Sequence, residues 1–115
     1  MEINLIKYRG SSSTTFTDRD WGENARKDLK LDELDDENGV VSIIIPKGTT
    51  SFNPSFYLGL FFQSYKKLNI EGFGKKYNLL FEDENNLEGF NELLKEDLDD
   101  GRRQAKDELI NNYGL

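Results

Sequence analysis

Residues 40–68, which read VVSIIIPKGTTSFNPSFYLGLFFQSYKKL, carry the clearest structural signals of the chain. The run from Val40 to Ile45 is short, apolar and rich in β-branched side chains, and it is ended by Pro46 and Gly48. Apolar runs of this length and branching, bounded by turn residues, are typical of strands inside a parallel sheet. We therefore predict a central β-strand here that is buried on both faces.

A helix is predicted directly after the turn that follows this strand. Asn53 is a favoured N-cap residue, and Pro54 fits the first helical position because the N–H that it lacks would be unpaired there in any case. Apolar side chains then recur at the i, i+3, i+4 and i+7 spacing of one helix face, at Leu58, Phe61, Phe62 and Tyr65. The sequence therefore predicts a buried strand, a polar turn and a deeply buried helix.

A second buried strand, with the sequence YNLLF, is predicted at residues 77–81. Strand, helix and strand at this separation form a βαβ unit, so residues 40–45 and 77–81 are expected to be parallel. A shorter alternating pattern predicts a first strand at residues 2–8, and a thin apolar stripe predicts a helix at about residues 18–30. We predict a single α/β domain over residues 1–115, with a small mixed or parallel sheet and helices packed on it.

The surroundings of two side chains of the helix at residues 18–30 can also be predicted. Trp21 is expected to pack between this helix and the sheet, since large aromatic side chains most often serve the core. Arg26 is expected to form an ordinary surface ion pair with nearby carboxylates.

Three further segments are predicted to be irregular. The acidic run at residues 32–37 lacks the glycine and glutamate spacing of an EF-hand, so a solvated loop is predicted rather than a calcium site. Residues 69–76 are punctuated by two glycines and are predicted to form a loop. Gly101 is expected to break the chain before a last helix.

Composition limits the chemistry available to this protein. The chain carries 22 acidic and 15 basic side chains, a formal net charge of −7, which argues against direct binding of nucleic acid through phosphate contacts. It has no cysteine and no histidine, so thiolate nucleophiles, thiolate metal sites and the commonest general base are excluded. No spacing of the remaining side chains demands a metal or defines a nucleophile with its base. We expect a protein without enzymatic activity, metal or cofactor.

The location of the protein is predicted from two absent patterns. The N-terminus, MEINLIKYRG, lacks the charged-then-apolar design of a signal peptide. No apolar run approaches the length of about 18 residues that a membrane-spanning helix needs. We therefore expect a cytoplasmic protein that does not act at a membrane.

The segment SFNPSFYLGLFFQSYKKL at residues 51–68 resembles part of the STAS domain, the fold of bacterial anti-anti-sigma factors. It is more similar to a STAS-like family of unknown function, in which a Pro-Ser-Phe helix start replaces the Asp-Ser-Ser-Gly motif. The resemblance covers about residues 14–100, with Arg19 as a loose match to a Ser-Arg element of that family. It implies a STAS-like fold and a protein partner such as a histidine-kinase-like ATPase.

The helix start departs from the phosphorylated STAS proteins, in which a serine accepts phosphate from such an ATPase. When Leu58-Gly59 is placed on the Leu-Gly of that family, the phosphoacceptor position falls on Phe56. Pro54 then replaces the aspartate of the motif and Tyr57 replaces the glycine. Ser55 is left as the candidate phosphorylation site, since a phosphate there would lie at the positive end of the helix. The alternative is that Ser55 is a first-turn residue bonded to the backbone.

Two functions are compatible with these features. The first is a bacterial or phage regulatory domain that binds a protein through the start of the central helix, with a partner surface of Phe52, Asn53, Ser55 and Phe56. The second is an acidic inhibitor, for example a phage-encoded one, that mimics nucleic acid and binds a basic nucleic-acid enzyme. For that function the surface would be a row of carboxylates stacked along one helix face, at Glu88, Glu92 and Glu96.

Overall fold

The structure is a computed structural model that describes residues 1–9, 13–83 and 90–113. Within these ranges the elements follow in the order β1 (Glu2–Asn4), α1 (Ile6–Arg9), β2 (Thr15–Phe16), α2 (Arg19–Leu29), α3 (Leu31–Asp36), β3 (Val41–Ile45), β4 (Ser51–Phe52), α4 (Pro54–Lys76), β5 (Tyr77–Phe81) and α5 (Phe90–Tyr113). The predicted α/β class, a small parallel sheet with helices packed on it, is confirmed.

The main sheet consists of three parallel strands in the order β1-β3-β5. Ile43 of the central strand β3 is paired with Ile3 of β1 on one side and with Leu79 of β5 on the other. The prediction that residues 40–45 and 77–81 are parallel strands is therefore confirmed, except that β3 begins at Val41 and leaves Val40 50% exposed. Their carboxyl ends lie at the same edge of the sheet, as those of parallel strands must.

The helices cover one face of this sheet more completely than the other. Alternate residues of β3 are fully buried against the helices, namely Val41, Ile43 and Ile45. On the opposite face Ile44 is only partly buried and Leu80 of β5 is 42% exposed. The prediction of a strand buried on both faces is thus wrong for the second face.

A second, two-stranded parallel sheet joins β2 to β4, just before α4 begins. Phe16 and Phe52 are paired in its register, and their ring centroids lie 5.0 Å apart. The N–H of Asn53 donates to the carbonyl of Phe16 at 2.9 Å, so this small sheet ties the start of α4 to the segment before α2.

Helices α2 and α4 cross at two glycines. A Cβ atom on Gly22 would overlap the carbonyl oxygen of Phe56, and one on Gly59 would overlap the carbonyl oxygen of Arg19. Only glycine lets the two backbones approach this closely. Gly22 therefore determines which face of α2 meets α4, and this in turn determines whether its neighbour Trp21 is buried or exposed.

The observed first strand is shorter than the strand predicted at residues 2–8. Strand β1 ends at Asn4, because the Asn4 Oδ1 atom accepts the N–H of Ile6 at 2.9 Å and turns the chain into α1. Asparagine side chains favour turns by bonding to the backbone two residues later.

Two segments predicted as loops are helical. Helix α3 occupies most of the acidic run, and it begins directly after Lys30, whose left-handed conformation (φ 58°) closes α2. In α4 the helix is interrupted only at Asn69, which has φ 58° and ψ −178°. The Asn69 side chain accepts the N–H of Gly72 at 3.0 Å and restarts the helix, which therefore continues through residues 70–76.

Helix α5 continues through Gly101, where the sequence predicted a break. Gly101 is buried against Tyr57, and a Cβ atom on it would lie 2.6 Å from Tyr57 Cγ. The glycine therefore allows α5 to approach α4 rather than ending the helix.

Candidate functional site

The predicted partner surface at the start of α4 is divided between the core and the solvent. Phe52 and Phe56 have no exposed area, and their ring centroids lie 5.3 Å apart in an edge-to-face arrangement. Both rings are therefore core residues and cannot be the exposed anchors that the sequence indicated. Asn53 and Ser55 are exposed beside them, so only these two of the four residues can meet a partner.

Asn53 caps α4 as predicted. Its Oδ1 atom accepts the N–H of Ser55 at 2.8 Å, and Pro54 takes the first helical position. The N–H of Phe52 is bonded to the Oδ2 atom of Asp97 at 2.9 Å, which brings a carboxylate to the chain just before the helix. A phosphate on Ser55 would be favoured by the helix dipole.

A groove with a volume of about 610 Å³ opens between α1, β2 and α2. Its walls mix aromatic, hydroxyl and charged side chains, which are Lys7, Tyr8, Arg9, Ser13, Thr15, Thr17, Trp21, Asn24, Ala25 and Asp28. Because β2 is paired with β4, the groove adjoins the segment that leads into α4. The groove therefore has room for a ligand or a partner side chain.

Trp21, the only tryptophan of the chain, lines this groove and is 61% exposed. The prediction that it packs between helix and sheet is wrong. The buried face of α2 consists instead of Gly22, Ala25 and Arg26, because the close crossing with α4 is centred on Gly22. Trp21 lies one residue away, which turns its ring toward the solvent. The glycine beside it was the one sequence signal for this arrangement.

Tyr8, Lys7 and Asp28 form a polar cluster in the wall of the groove. The Tyr8 hydroxyl donates to Asp28 Oδ2 at 2.5 Å, and Lys7 Nζ donates to the same oxygen at 3.1 Å. Burial and the hydrogen bond to Asp28 raise the pKa of Tyr8 to about 12. The hydrogen bonds from Tyr8 and Lys7 lower the pKa of Asp28. At neutral pH Tyr8 is therefore a neutral phenol and Asp28 a carboxylate.

Arg9 links the groove to the turn after β3. Its Nη1 atom donates to the carbonyl of Lys47 at 3.1 Å and to Thr49 Oγ1 at 2.7 Å. Its Nε atom is buried and has no hydrogen-bond partner among the described residues. Nearby on the same edge of the sheet, Glu82 accepts from Asn4 Nδ2 and from the N–H of Lys47, both at 2.9 Å. In open parallel sheets ligands bind at the carboxyl ends of the strands. The hydrogen bonds of Arg9 and Glu82 lie at that end of the sheet.

A second polar cluster, which the sequence did not predict, is buried between the helices. Arg26 Nη2 lies 2.6 Å from Asp35 Oδ2, so Arg26 is not the surface residue that was expected. The other oxygen of Asp35 accepts from Ser64 Oγ at 2.7 Å and from the Tyr77 hydroxyl at 2.5 Å. The buried polar atoms of this cluster satisfy one another, and the Asp35 side chain has no exposed area. We assign the cluster to stability rather than to binding.

The described residues contain no group of three or more acidic side chains arranged to hold a metal ion. Within the same ranges no helix is long and apolar enough to cross a membrane. Comparisons with protein-family models, with curated proteins and with solved structures give no match. The STAS-like resemblance therefore stays a prediction that rests on the residues quoted for it.

Proposed function

We propose that this protein is a non-enzymatic regulatory domain that acts in the cytoplasm by binding another protein. The observation that carries the proposal is Trp21, which is 61% exposed beside a groove of about 610 Å³. An exposed tryptophan next to a concave surface is a typical anchor point for a protein partner, because it offers a large rigid contact area at a small entropic cost.

The proposed partner surface extends from the groove to the start of α4. Strands β2 and β4 connect the two regions, since Thr15 lines the groove while its neighbour in register is Ser51, just before Asn53 and Ser55. Ser55 is kept as the candidate phosphorylation site, where a phosphate would change the charge at one end of this surface. The partner implied by the resemblance is a histidine-kinase-like ATPase.

The second candidate function, an acidic inhibitor of a basic nucleic-acid enzyme, has narrower support. Glu92 and Glu96 are exposed on α5, whereas Glu88 lies outside the described residues. Further along α5, Asp99 and Asp100 form ion pairs with arginines one turn later, which reduces the net negative charge of that face. We therefore favour the surface around Trp21 over the acidic face.

The proposal is tested by affinity capture of the tagged protein from extracts of its native host, with partners identified by mass spectrometry. The Trp21→Ala variant is expected to lose the specific partner, because truncation of such an anchor commonly costs about 2 kcal/mol or more in binding. Ile110→Ala is the matched control, since Ile110 is also an exposed large apolar residue (43%) but lies on α5, outside the groove. A Ser55→Glu variant then examines the helix start.

Three outcomes are informative. Loss of the partner with Trp21→Ala and retention with Ile110→Ala supports the proposed surface. A purified partner should in addition change the fluorescence of Trp21, the only tryptophan, on binding. Capture of a nucleic-acid enzyme would overturn the proposal in favour of the acidic inhibitor if binding is unchanged by Trp21→Ala and is lost in moderate salt.

A further inference from the structure

Among the described residues, β5 forms an unpaired edge of the main sheet. Strand β5 is paired with β3 on one side, and no further strand follows it in the sheet formed by the described residues. The N–H of Glu82 donates to the carbonyl of Ile45 at 2.9 Å, so the even-numbered residues of this strand direct their backbone groups toward β3. Because these groups alternate along a strand, Leu79 and Phe81 direct their N–H and C=O groups away from the sheet.

A cleft of about 590 Å³ runs along this edge, between β5 and helix α5. Its floor is aromatic: the rings of Tyr65 and Phe73 are stacked with centroids 4.1 Å apart, and Tyr77 lies 5.1 Å from Phe73. Residues 78–80 of β5 form one wall. A parallel sheet that ends in an apolar cleft presents an unpaired template for another strand.

The opposite wall of the cleft is cationic. Helix α5 contributes Arg102, Arg103 and Lys106, all of them exposed, to the lining. This cluster of positive charge contrasts with the formal net charge of −7 for the whole chain. Arg102 and Arg103 each bond to an aspartate one turn earlier, but those aspartates, Asp99 and Asp100, do not line the cleft.

We propose that the β5 edge binds an extended acidic segment of a partner protein, which adds to the sheet as a fourth strand. The backbone of the segment would bond to Leu79 and Phe81, as in other complexes formed by strand addition. Its apolar side chains would contact Ile70 and Leu80, the exposed apolar residues of the lining, and its carboxylates would meet the three cations of α5.

A second copy of this chain is disfavoured as the occupant. Two β5 edges paired about a two-fold axis would bring both cationic walls toward the same interface, where like charges repel. An acidic segment from another protein has the complementary charge. The β5 surface has no lining residue in common with the groove at Trp21, so it is a second interaction surface, independent of the one proposed above.

The experiment uses the full chain and a labelled synthetic peptide of alternating glutamate and valine, about six residues long to match an ordinary strand. The control peptide alternates lysine and valine. Affinity is measured by fluorescence anisotropy, and amide hydrogen exchange is followed by NMR. We expect the acidic peptide to bind, to weaken as salt is added, and to protect the amides of Leu79 and Phe81. The amides of Asn78 and Leu80 should already be protected by β3 in the free protein.

Charge reversal provides the matched pair of variants. Arg103→Glu combined with Lys106→Glu is expected to weaken binding about tenfold or more, because two of the three cations in the α5 wall of the cleft are replaced by carboxylates that repel the peptide. Lys27→Glu combined with Lys30→Glu makes the same change in net charge on exposed residues away from this cleft, and should leave the affinity within about twofold.

Several results would overturn the inference. They are failure of the acidic peptide to bind, equal binding of the lysine peptide, or binding without protection at Leu79 and Phe81, which would indicate adhesion to the charges alone. Protection of these amides in the free protein, together with the mass of a dimer in solution, would show that a second copy covers the edge instead. None of these results depends on Trp21, so the two surfaces can fail separately.

Discussion

The side chain of Asp35, on α3, connects three other elements of this fold. It has no exposed area and bonds to Arg26 of α2, Ser64 of α4 and Tyr77 of β5. A carboxylate buried in this way is tolerated only when charged and hydrogen-bonding partners replace the lost water. The ion pair with Arg26 therefore stabilises the packing of α2 on α4, because it compensates the buried carboxylate.

At the residue scale we predict that Arg26→Met lowers the free energy of unfolding by about 3 kcal/mol, because it leaves the charge of Asp35 buried without its main partner. Lys67, whose Nζ atom lies 3.9 Å from Asp35 Oδ2, replaces only part of that interaction. The measurement is urea denaturation followed by circular dichroism. The control is Arg103→Met, which removes an exposed ion pair with Asp100 and should change the stability by less than about 1 kcal/mol. Equal losses in the two variants would contradict the prediction.

At the scale of elements, the crossing of α2 and α4 depends on the absence of side chains at Gly22 and Gly59. Helices usually pack about 8–10 Å apart, and bulkier residues at the contact increase that distance. The two glycines bring the backbones into direct contact, and this fixes the rotation of α2 about its axis. The rotation places Arg26 inside the core and Trp21 outside it.

We predict that Gly59→Ala destabilises the protein by about 2 kcal/mol or more, since the new methyl group would overlap the backbone of Arg19. Gly74→Ala is the matched control, because Gly74 also lies in α4 but has open space around it. That change should be neutral or should stabilise by about 0.5–1 kcal/mol, through the better helix propensity of alanine. Thermal unfolding of the two variants distinguishes the effects, and a stable Gly59→Ala protein would disprove the close crossing.

At the scale of the whole molecule, tyrosine hydroxyls make the stability of the fold depend on pH in the alkaline range. Burial is the main cause that raises the pKa values of Tyr57, Tyr65 and Tyr77 above the ordinary value of 10.0. The pKa of Tyr8 is raised to about 12 for the same main reason. A raised folded-state pKa means that the folded protein holds these protons more tightly than the unfolded chain does. The resulting stabilisation is fully present below pH 10 and is lost as the pH rises further.

We therefore expect the free energy of unfolding to fall steadily as the pH rises above about 10. Urea denaturation at a series of pH values measures this slope. The Tyr57→Phe variant should show a shallower fall, because it lacks one of the phenols that must ionise in a buried position. The hydroxyls of Tyr57 and Tyr65 lie 2.7 Å apart, so this variant also loses some stability at neutral pH. Identical slopes for the two proteins would refute the assignment.

Elements with local signals could be predicted from the amino-acid sequence. The branched apolar run of β3, the Asn53-Pro54 start of α4 and the apolar run of β5 were each recognised from a few consecutive residues, and parallel pairing followed from their separation. These features depend on backbone propensities and on hydrogen bonds within a turn, which neighbouring residues decide.

The exposure of side chains at the candidate sites, in contrast, depends on how distant elements pack together. Phe52 and Phe56 are buried because β2 and α4 close around them, and Trp21 is exposed because α2 is rotated by its glycine contact with α4. The cleft beside β5 likewise depends on the packing of α5 on α4, with no further strand on β5 among the described residues. Each of these outcomes depends on the distance and rotation between elements far apart in the chain, which residue spacing within one element does not encode.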